Sequence, residues 1–469
     1  MALGGGIWLF QNKILPGTYI NFISKVRAAA AIADRGYGTM PLELDWGPTG
    51  EIFRVDAETF QTKCQQFFGY DYGHEKMKPL RDLFLNLKTG YFYRLNSDGA
   101  KAANTLATAK YAGIRGNDLS VSVQSDPDHE DKFIVTTYLN TDGVRKAVDI
   151  QDNVGTMAEL TANAYVTFKT DTTAATTGVA VTGDTKAGEA GLTPVANMPL
   201  TGGTNGTAIT TANYQDYIGL IEPYYFNCMG YAGADEAIQS LLINFCKRCR
   251  DNTGAKFQLI IHGRTKVNYE GVISIQNDVT DSGAEPGSLA YWVTGKEASC
   301  PINQSCGNAI YDGEYTVNTK YQQYELEQAI TDGMFQFHNV TDPVSGNVTG
   351  DTRVLKDINT FTEFTKEKTR DFSLNQIIRV LDNTAIDLGR LFNRSYLDKV
   401  QNDADGRIAL WNDGVKLFES YQKVRAIQNF NEDDLPIPTQ GDNKEDVVWS
   451  FQIEPTVAME KLYCTVVVA

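Results

Sequence analysis

This sequence has little that would serve catalysis, nucleic-acid binding or a membrane span. Four histidines occur in 469 residues, at positions 74, 129, 262 and 338, and none stands beside a second candidate ligand at a metal-binding spacing. Lysine and arginine total 42 against 58 aspartates and glutamates, a formal charge of −16. No basic run reverses that balance locally, which excludes the basic stripe that a phosphate backbone requires. No apolar run approaches the roughly 20 residues of a membrane helix. The seven cysteines (64, 228, 246, 249, 300, 306 and 464) are odd in number and scattered. No disulfide framework is legible in them, which suits a reducing compartment. Gly4-Gly5-Gly6-Ile7-Trp8-Leu9-Phe10 carries no basic leader, so the expectation is a soluble chain made and used without secretion. On that expectation Asn339-Val340-Thr341 and Asn347-Val348-Thr349 mean nothing as glycosylation sequons.

Enzyme signatures are equally thin. His262 follows an apolar strand, where a catalytic histidine can sit, although a satisfied structural histidine is the commoner occupant of such a place. Cys246-Lys247-Arg248-Cys249 has half the spacing of a zinc site, but no second pair completes a tetrahedron and both sulfurs fall on the apolar face of a helix. Gly295-Lys296-Glu297 lacks the hydroxyl residue of a phosphate loop, and Gly36-Tyr37-Gly38 lacks the third glycine of a dinucleotide fingerprint. No nucleophile elbow organises the serines. The expectation is a protein that is not an enzyme, with no catalytic, cofactor-binding or metal-binding residues.

A hydrophobic content of 42% with 21% charged residues is that of a packed globular chain, and the length allows about three or four domains. Four zones of composition are visible. The first, to about residue 95, mixes an Ala-rich stretch (Ala28 to Ala33) with aromatic strands such as Tyr91-Phe92-Tyr93. Residues 96–205 are rich in Thr, Ala, Gly, Asp and Val, with alternating pieces such as Leu119-Ser120-Val121-Ser122-Val123 and turn signals at Asp142-Gly143 and Gly183-Asp184, the texture of a small all-β domain. Thr201 to Thr207 reads as a linker, and Gly202-Gly203 as a hinge by composition. From about 210 to 345 a strand at Tyr225–Met229, a helix with Ile238, Leu241, Leu242, Phe245, Cys246 and Cys249 on one face, and a strand at Phe257–Ile261 predict a partly parallel sheet layered with helices. The last ~105 residues predict two helices. One follows a capping box at Ser373–Gln376 and has a stripe of Leu374, Ile377, Ile378, Leu381, Ala385, Leu388 and Leu391. The other runs from about Asp405 to Arg425 on Ile408, Trp411, Val415 and Phe418.

Both ends of the chain read as strands: Thr18, Tyr19, Ile20 and Phe22 at the front, and Leu462, Tyr463, Cys464, Thr465, Val466, Val467 and Val468 at the close. An apolar terminal strand needs a cover or a partner strand. Exchange between copies in a polymer and two outer strands of one internal sheet both satisfy that need, and composition does not choose between them.

Five motifs in order resemble those of contractile tail sheath proteins of bacteriophages and phage-like particles, with the phage-type sheaths of Gram-positive bacteria as the nearest likeness. They are Pro16-Gly17-Thr18-Tyr19-Ile20, Lys110-Tyr111-Ala112-Gly113-Ile114-Arg115-Gly116-Asn117-Asp118, Leu200-Thr201-Gly202-Gly203-Thr204-Asn205-Gly206, Ala298 to Ser305, and Gln452 to Lys461. Ala112 replaces the proline usual in the second motif. The resemblance implies a multidomain α/β (mixed α+β) fold: an arm strand at 1–24, a first part of the sheath core at 25–95, an inserted β-sandwich on the outer surface at 96–205, an α/β sheath domain at 206–365, and a C-terminal domain at 366–469 with a closing strand arm. It further implies subunits that stack as hexameric rings in a helical sheath around a tail tube. Such a sheath contracts from a metastable extended state to drive the tube through the bacterial envelope for genome ejection. Its expected partners are other copies of itself, the tail tube protein, and the baseplate and tail terminator proteins, in a virion tail assembled in the host cytoplasm, with no nucleic acid, membrane or cofactor. The terminal strands become candidate inter-subunit arms, and Lys416 and Lys423 candidates for facing the tube. The alternatives are a non-contractile capsid or tube protein, and an α/β enzyme using His262.

Overall fold

The computed structural model describes residues 4–6, 17–19, 35–169, 192–341 and 350–468. Ile20 and Phe22, the Ala28 to Ala33 stretch, the Gly183-Asp184 turn signal and the second sequon lie outside the described residues. The chain divides into two compact units, one of residues 1–27, 41–78 and 91–223 and the other of 28–40, 79–90 and 224–469.

The first unit is built on an antiparallel sheet in the order Val195–Pro199, Leu119–Ser125, Phe133–Thr141, Val144–Val154. Asp142 and Gly143 both take positive φ, +51° and +81°, the condition for a two-residue hairpin whose twist matches its strands. Alternation puts Val121, Val123, Val135, Leu139 and Val148 into one core with Trp46, Leu106, Tyr165 and Phe168, the last from a strand (Val166–Phe168) paired antiparallel with Ala107–Ala109. At the front of the chain Gly4–Gly6 pairs in parallel with Gly17–Tyr19.

The second unit centres on parallel strands in the order Met334–Phe335, Val272–Ile275, Gln258–His262, Cys228–Gly230, and then Gly38 and Thr39 of the strand Tyr37–Leu42. Leu259, Ile260, Ile261, Val272 and Ile273 are all fully buried, the continuous apolar run of a sheet covered on both faces. Helix Glu236–Arg248 begins on Asp235, whose carboxylate accepts from the amides of Ala237 and Ile238 at 2.8 and 3.2 Å. Cys246 and Cys249 are both buried. Gly230 is where helix Leu289–Ser299 meets the sheet: a Cβ there would stand 2.3 Å from Thr294 Oγ1. Helices Asn375–Ser395 and Ala404–Lys423 follow, with a cluster of Val380, Val415, Phe418, Tyr421, Ala426, Ile427 and Leu435 between them and the chain's last segments. No described helix is long and apolar enough to cross a membrane.

Three local expectations fail for identifiable reasons. The capping box does not form, because Ser373 closes a 3₁₀ turn (Arg370–Ser373) and donates to Arg370 O at 2.7 Å, leaving the helix to start at Asn375 without a side-chain cap. The predicted stripe on that helix is displaced: Ala385 is exposed and Leu381 half-buried, whereas Arg379, Asp382 and Thr384 are buried. In the next helix Ile408 is 40% exposed and Leu410, Gly414 and Tyr421 face the core instead.

Arg250 and Asp382 explain part of the displacement. They form a buried bidentate pair at 2.7 and 2.8 Å, and Arg250 also donates to Phe257 O at 2.7 Å. Removing one partner of such a pair strands a buried charge, whereas replacing both with apolar groups does not. Arg250→Met is therefore expected to cost about 3–5 kcal/mol. In denaturant titrations Arg250→Met/Asp382→Leu should recover most of that loss; equal losses in both variants would contradict the pairing.

Candidate functional site

Two of the sequence motifs meet in the first unit and form a clasp. Asn117 donates to Gly203 O and accepts from Gly203 N, at 2.9 and 2.8 Å. Asn205 accepts from the Ile114 amide at 3.0 Å and donates to Asp45 at 2.8 Å. Asp45 also receives the Tyr70 hydroxyl at 2.7 Å and the Lys76 ammonium. Burial opposes the charge on Asp45, but the hydrogen bonds from Lys76, Tyr70 and Asn205 outweigh it and hold the carboxyl below its ordinary value. Gly113, at φ +133°, admits no side chain, since a Cβ would lie 1.9 Å from Asp45 O. Arg94, fully buried, donates to Ala112 O at 2.6 Å, and burial pulls its guanidinium down to about 10. Leu200 to Gly206 is thus a tied strap and not the open hinge that its glycines suggest. The hydrogen-bonding residues Asn117 and Asn205 carried no legible signal apart from the motifs.

A third motif caps a charge cluster in the second unit. Arg379, 1% exposed, lies on the carboxylates of Glu297 and Asp357, and on Asp357 the distance is 2.7 Å. It also donates to Gln304 O at 2.8 Å. Asp357 further accepts from the Cys306 amide at 2.9 Å, Ser305 Oγ at 3.2 Å and Asn375 Nδ2 at 2.8 Å. Burial acts against ionisation of Asp357, but Arg379 and these donors prevail and its carboxyl lies below the usual range. Burial, with Asp357 beside it, pushes Glu297 well above that range. The two carboxyls are therefore pushed in opposite directions, Glu297 toward its protonated form and Asp357 toward its ionised form. Glu297, Cys306 and Asp357 place one potential ligand atom each within 4.8 Å of one another, but the guanidinium already supplies the cation, so the arrangement is an ion-pair cluster. Sequence reasoning missed it: Glu297 drew notice only within a failed phosphate loop, and Arg379 was absent from the helix's predicted apolar stripe.

His262 ends its strand 9% exposed, with Nε2 3.0 Å from Asp278 and 3.2 Å from Asn277 O. These contacts satisfy it where it stands.

Thr18 and Tyr19 belong to the short parallel pairing with Gly5 and Gly6. At the other end, the Ala458 amide donates to Gln376 Oε1 at 3.0 Å, and Glu460 pairs with Lys356 at 2.8 Å. Beyond that anchor, Leu462 to Val468 join no strand. Leu462, Tyr463, Val466, Val467 and Val468 are 79–91% exposed, and Thr465 is exposed too. Lys416 and Lys423 lie seven residues apart on one face of their helix, both exposed, with Lys416 3.1 Å from Asp413.

Comparison with known proteins covers most of the chain. Residues 97–205 match the phage tail sheath protein beta-sandwich domain, 207–360 the central domain, and 367–469 the phage tail sheath C-terminal domain. Phage-like element PBSX protein XkdK of Bacillus subtilis is 28% identical over 99% of both chains. The crystal structure of a sheath tail protein from Desulfitobacterium hafniense is 29% identical, with a TM-score of 0.72 over 94% of this chain and 100% of that one. A sheath tail protein from Listeria innocua is 28% identical, with a TM-score of 0.73 over 90% and 92%.

The opposite shifts of Glu297 and Asp357 give a signed pH dependence. A group whose folded-state value is raised contributes stability that is full below its unfolded value, about 4.3 for glutamate, and is lost as pH rises toward the folded value. Glu297→Gln cannot ionise, so its stability relative to wild type should climb with pH above that point, by up to about 1.4 kcal/mol per pH unit. Asp357 has the opposite sign, losing its contribution as pH falls through its lowered value. Urea midpoints across pH test this, and parallel curves for Glu297→Gln and wild type would contradict it.

Proposed function

The chain belongs to the phage tail sheath family, and on that premise we propose that it polymerises as stacked hexameric rings around a tail tube. It is a structural subunit of a tail sheath and not an enzyme. In this reading the rings form in a metastable extended state and shorten on a baseplate signal, driving the tube through the bacterial envelope for genome ejection. The tail tube, baseplate and tail terminator proteins are its partners, and the particle assembles in the host cytoplasm. Residues 96–205 decorate the outside of the sheath, while Lys416 and Lys423 face carboxylates of the tube.

One observation carries the reading: the chain leaves its last anchor at Glu460 and runs out as Leu462 to Val468, apolar and unpaired. In extended conformation Leu462, Cys464, Val466 and Val468 share one face and Tyr463, Thr465 and Val467 the other. Such a segment loses its exposed surface and satisfies its backbone together by adding to the sheet edge of another copy. Ile20 and Phe22 would play the matching part at the front of the chain with Thr18 and Tyr19. A net charge of −16 sets copies against one another, so specific pairing of this kind must hold the polymer.

Deleting residues 462–469 should abolish tubular polymers in electron micrographs while leaving the melting profile of the monomer unchanged. Tubes of normal width from the truncated chain would contradict the proposal, and closed shells from the full chain would favour a capsid protein. The tube contact has its own test. Lys416→Glu/Lys423→Glu should weaken sheath assembly on preformed tube, and added salt should weaken the wild-type contact, since screening shortens to about 3 Å at 1 M. Wild-type assembly by the double variant would remove this helix from the contact.

A further inference from the structure

After Tyr19 the described chain resumes at Arg35, and there it caps a helix. An α-helix leaves its last four carbonyls without a partner inside the helix. At the end of Leu289–Ser299 two of them are taken by this entry point. Arg35 Nη2 donates to Glu297 O at 3.1 Å, and the Gly36 amide donates to Ala298 O at 2.9 Å. Arg35 Nε donates to Cys300 O at 2.9 Å, and Nη1 to Asn383 Oδ1 at 3.4 Å. A guanidinium at a helix C-terminus is held by the helix dipole as well as by its hydrogen bonds. Asn227 Oδ1 accepts from the amides of Gly36 and Tyr37, both at 3.1 Å. Gly36, at φ +106°, lies so close to Lys88 that a Cβ would stand 2.8 Å from the lysine Cβ. The front of the second unit is thus fixed from several sides.

The closing end is fixed to the same framework. Helix Asn375–Ser395 carries Gln376, Arg379 and Asn383 at spacings of three and four residues, which puts them on one face. Gln376 takes the Ala458 amide at 3.0 Å, Arg379 lies on Glu297 and Asp357, and Asn383 meets Arg35. Glu297 serves both ends, its carbonyl receiving Arg35 and its carboxyl receiving Arg379. Arg35, Gln376 and Arg379 are 6%, 3% and 1% exposed, so water cannot replace a contact that one of them gives up. Moving either anchor would strand buried polar groups along this line, which makes the contacts hold or yield together.

We infer that this helix face couples the two chain-end anchors within one subunit, with Arg35 and Arg379 as the positioning residues that join them. Loosening the chain at Arg35 loosens it at Ala458, and the reverse holds equally, because a coupling free energy acts in both directions. The coupling is a property of the single chain; its use rests on the proposed function, in which both ends of the chain pair with other copies. A load on the closing segment then passes to the front anchor along one helix face.

Hydrogen–deuterium exchange of the monomeric full chain, read by mass spectrometry, tests the coupling from both ends. Arg35→Lys keeps the charge but loses the planar fork that reaches Cys300 O, Glu297 O and Asn383 together. It should speed exchange in the segment 456–460 by at least about 5-fold. Gln376→Ala removes the acceptor of the Ala458 amide. It should speed exchange by a similar factor at Gly36 and at Lys88 and Thr89, whose amides bond to Gly36 O. The sheet strand Gln258–His262 is the control and should keep its wild-type rate in both variants. Acceleration confined to the substituted anchor would overturn the inference. Equal acceleration of the control strand would overturn it too, since that marks a global loss of stability. If Arg35→Lys fails to fold, Gln376→Ala read at Gly36 decides the question, because the coupling is reciprocal. No polymer enters the measurement, so the outcome stands apart from whether the chain forms tubes.

Discussion

A guanidinium at 1% exposure must be neutralised where it lies, and much of the second unit is arranged around that requirement at Arg379. Its partners all come from outside its own helix. Glu297 is supplied by one helix, Asp357 by the chain ahead of another, and Gln304 by the loop that follows the first. With two carboxyls for one cation, burial and the neighbouring Asp357 push Glu297 toward its protonated form. The same turn of helix that presents Asn375 and Arg379 to this cluster also presents Gln376 to Ala458, where the terminal segment is fastened. The buried ions and the root of the terminal arm therefore share one rigid element. On the proposed function, this shared element would hold the chain end firmly at its base when neighbouring copies pull on it.

In the first unit the two motif segments are fixed to each other chiefly by amide hydrogen bonds and close backbone approach. Glycines at 113 and 203 let two chain segments approach until backbone meets backbone, and Asn117 and Asn205 close the gap with hydrogen bonds. Here strain-tolerant glycine serves close packing, which is why a reading from composition took the strap for a hinge.

The mixed fold with its β-sandwich domain was legible because alternation, apolar runs and the Asp142-Gly143 turn are local signals that tertiary structure did not override. The failures share a cause. The stripe on helix Asn375–Ser395 was assigned to leucines and alanine, but buried ion pairs pull Arg379 and Asp382 inward, and hydropathy cannot foresee a charge buried with its partner. Ser373 likewise satisfied its hydroxyl on Arg370 O, an option a spacing rule does not weigh. Glu297, Asp357 and Arg379 span 83 residues of sequence and become a cluster only in three dimensions. The family motifs carried information that composition lacked: the segments at 110–118 and 200–206 looked independent, yet each exists to fit the other.

On the proposed function, the chain end beyond Glu460 is incomplete until another copy pairs with it. Hydrogen–deuterium exchange of the Leu462–Val468 amides, followed by mass spectrometry in monomer and in assembled polymer, tests it most directly. These amides should exchange at unstructured rates in the monomer and at least about 100-fold more slowly in the polymer. Equal, rapid exchange in both states would contradict it.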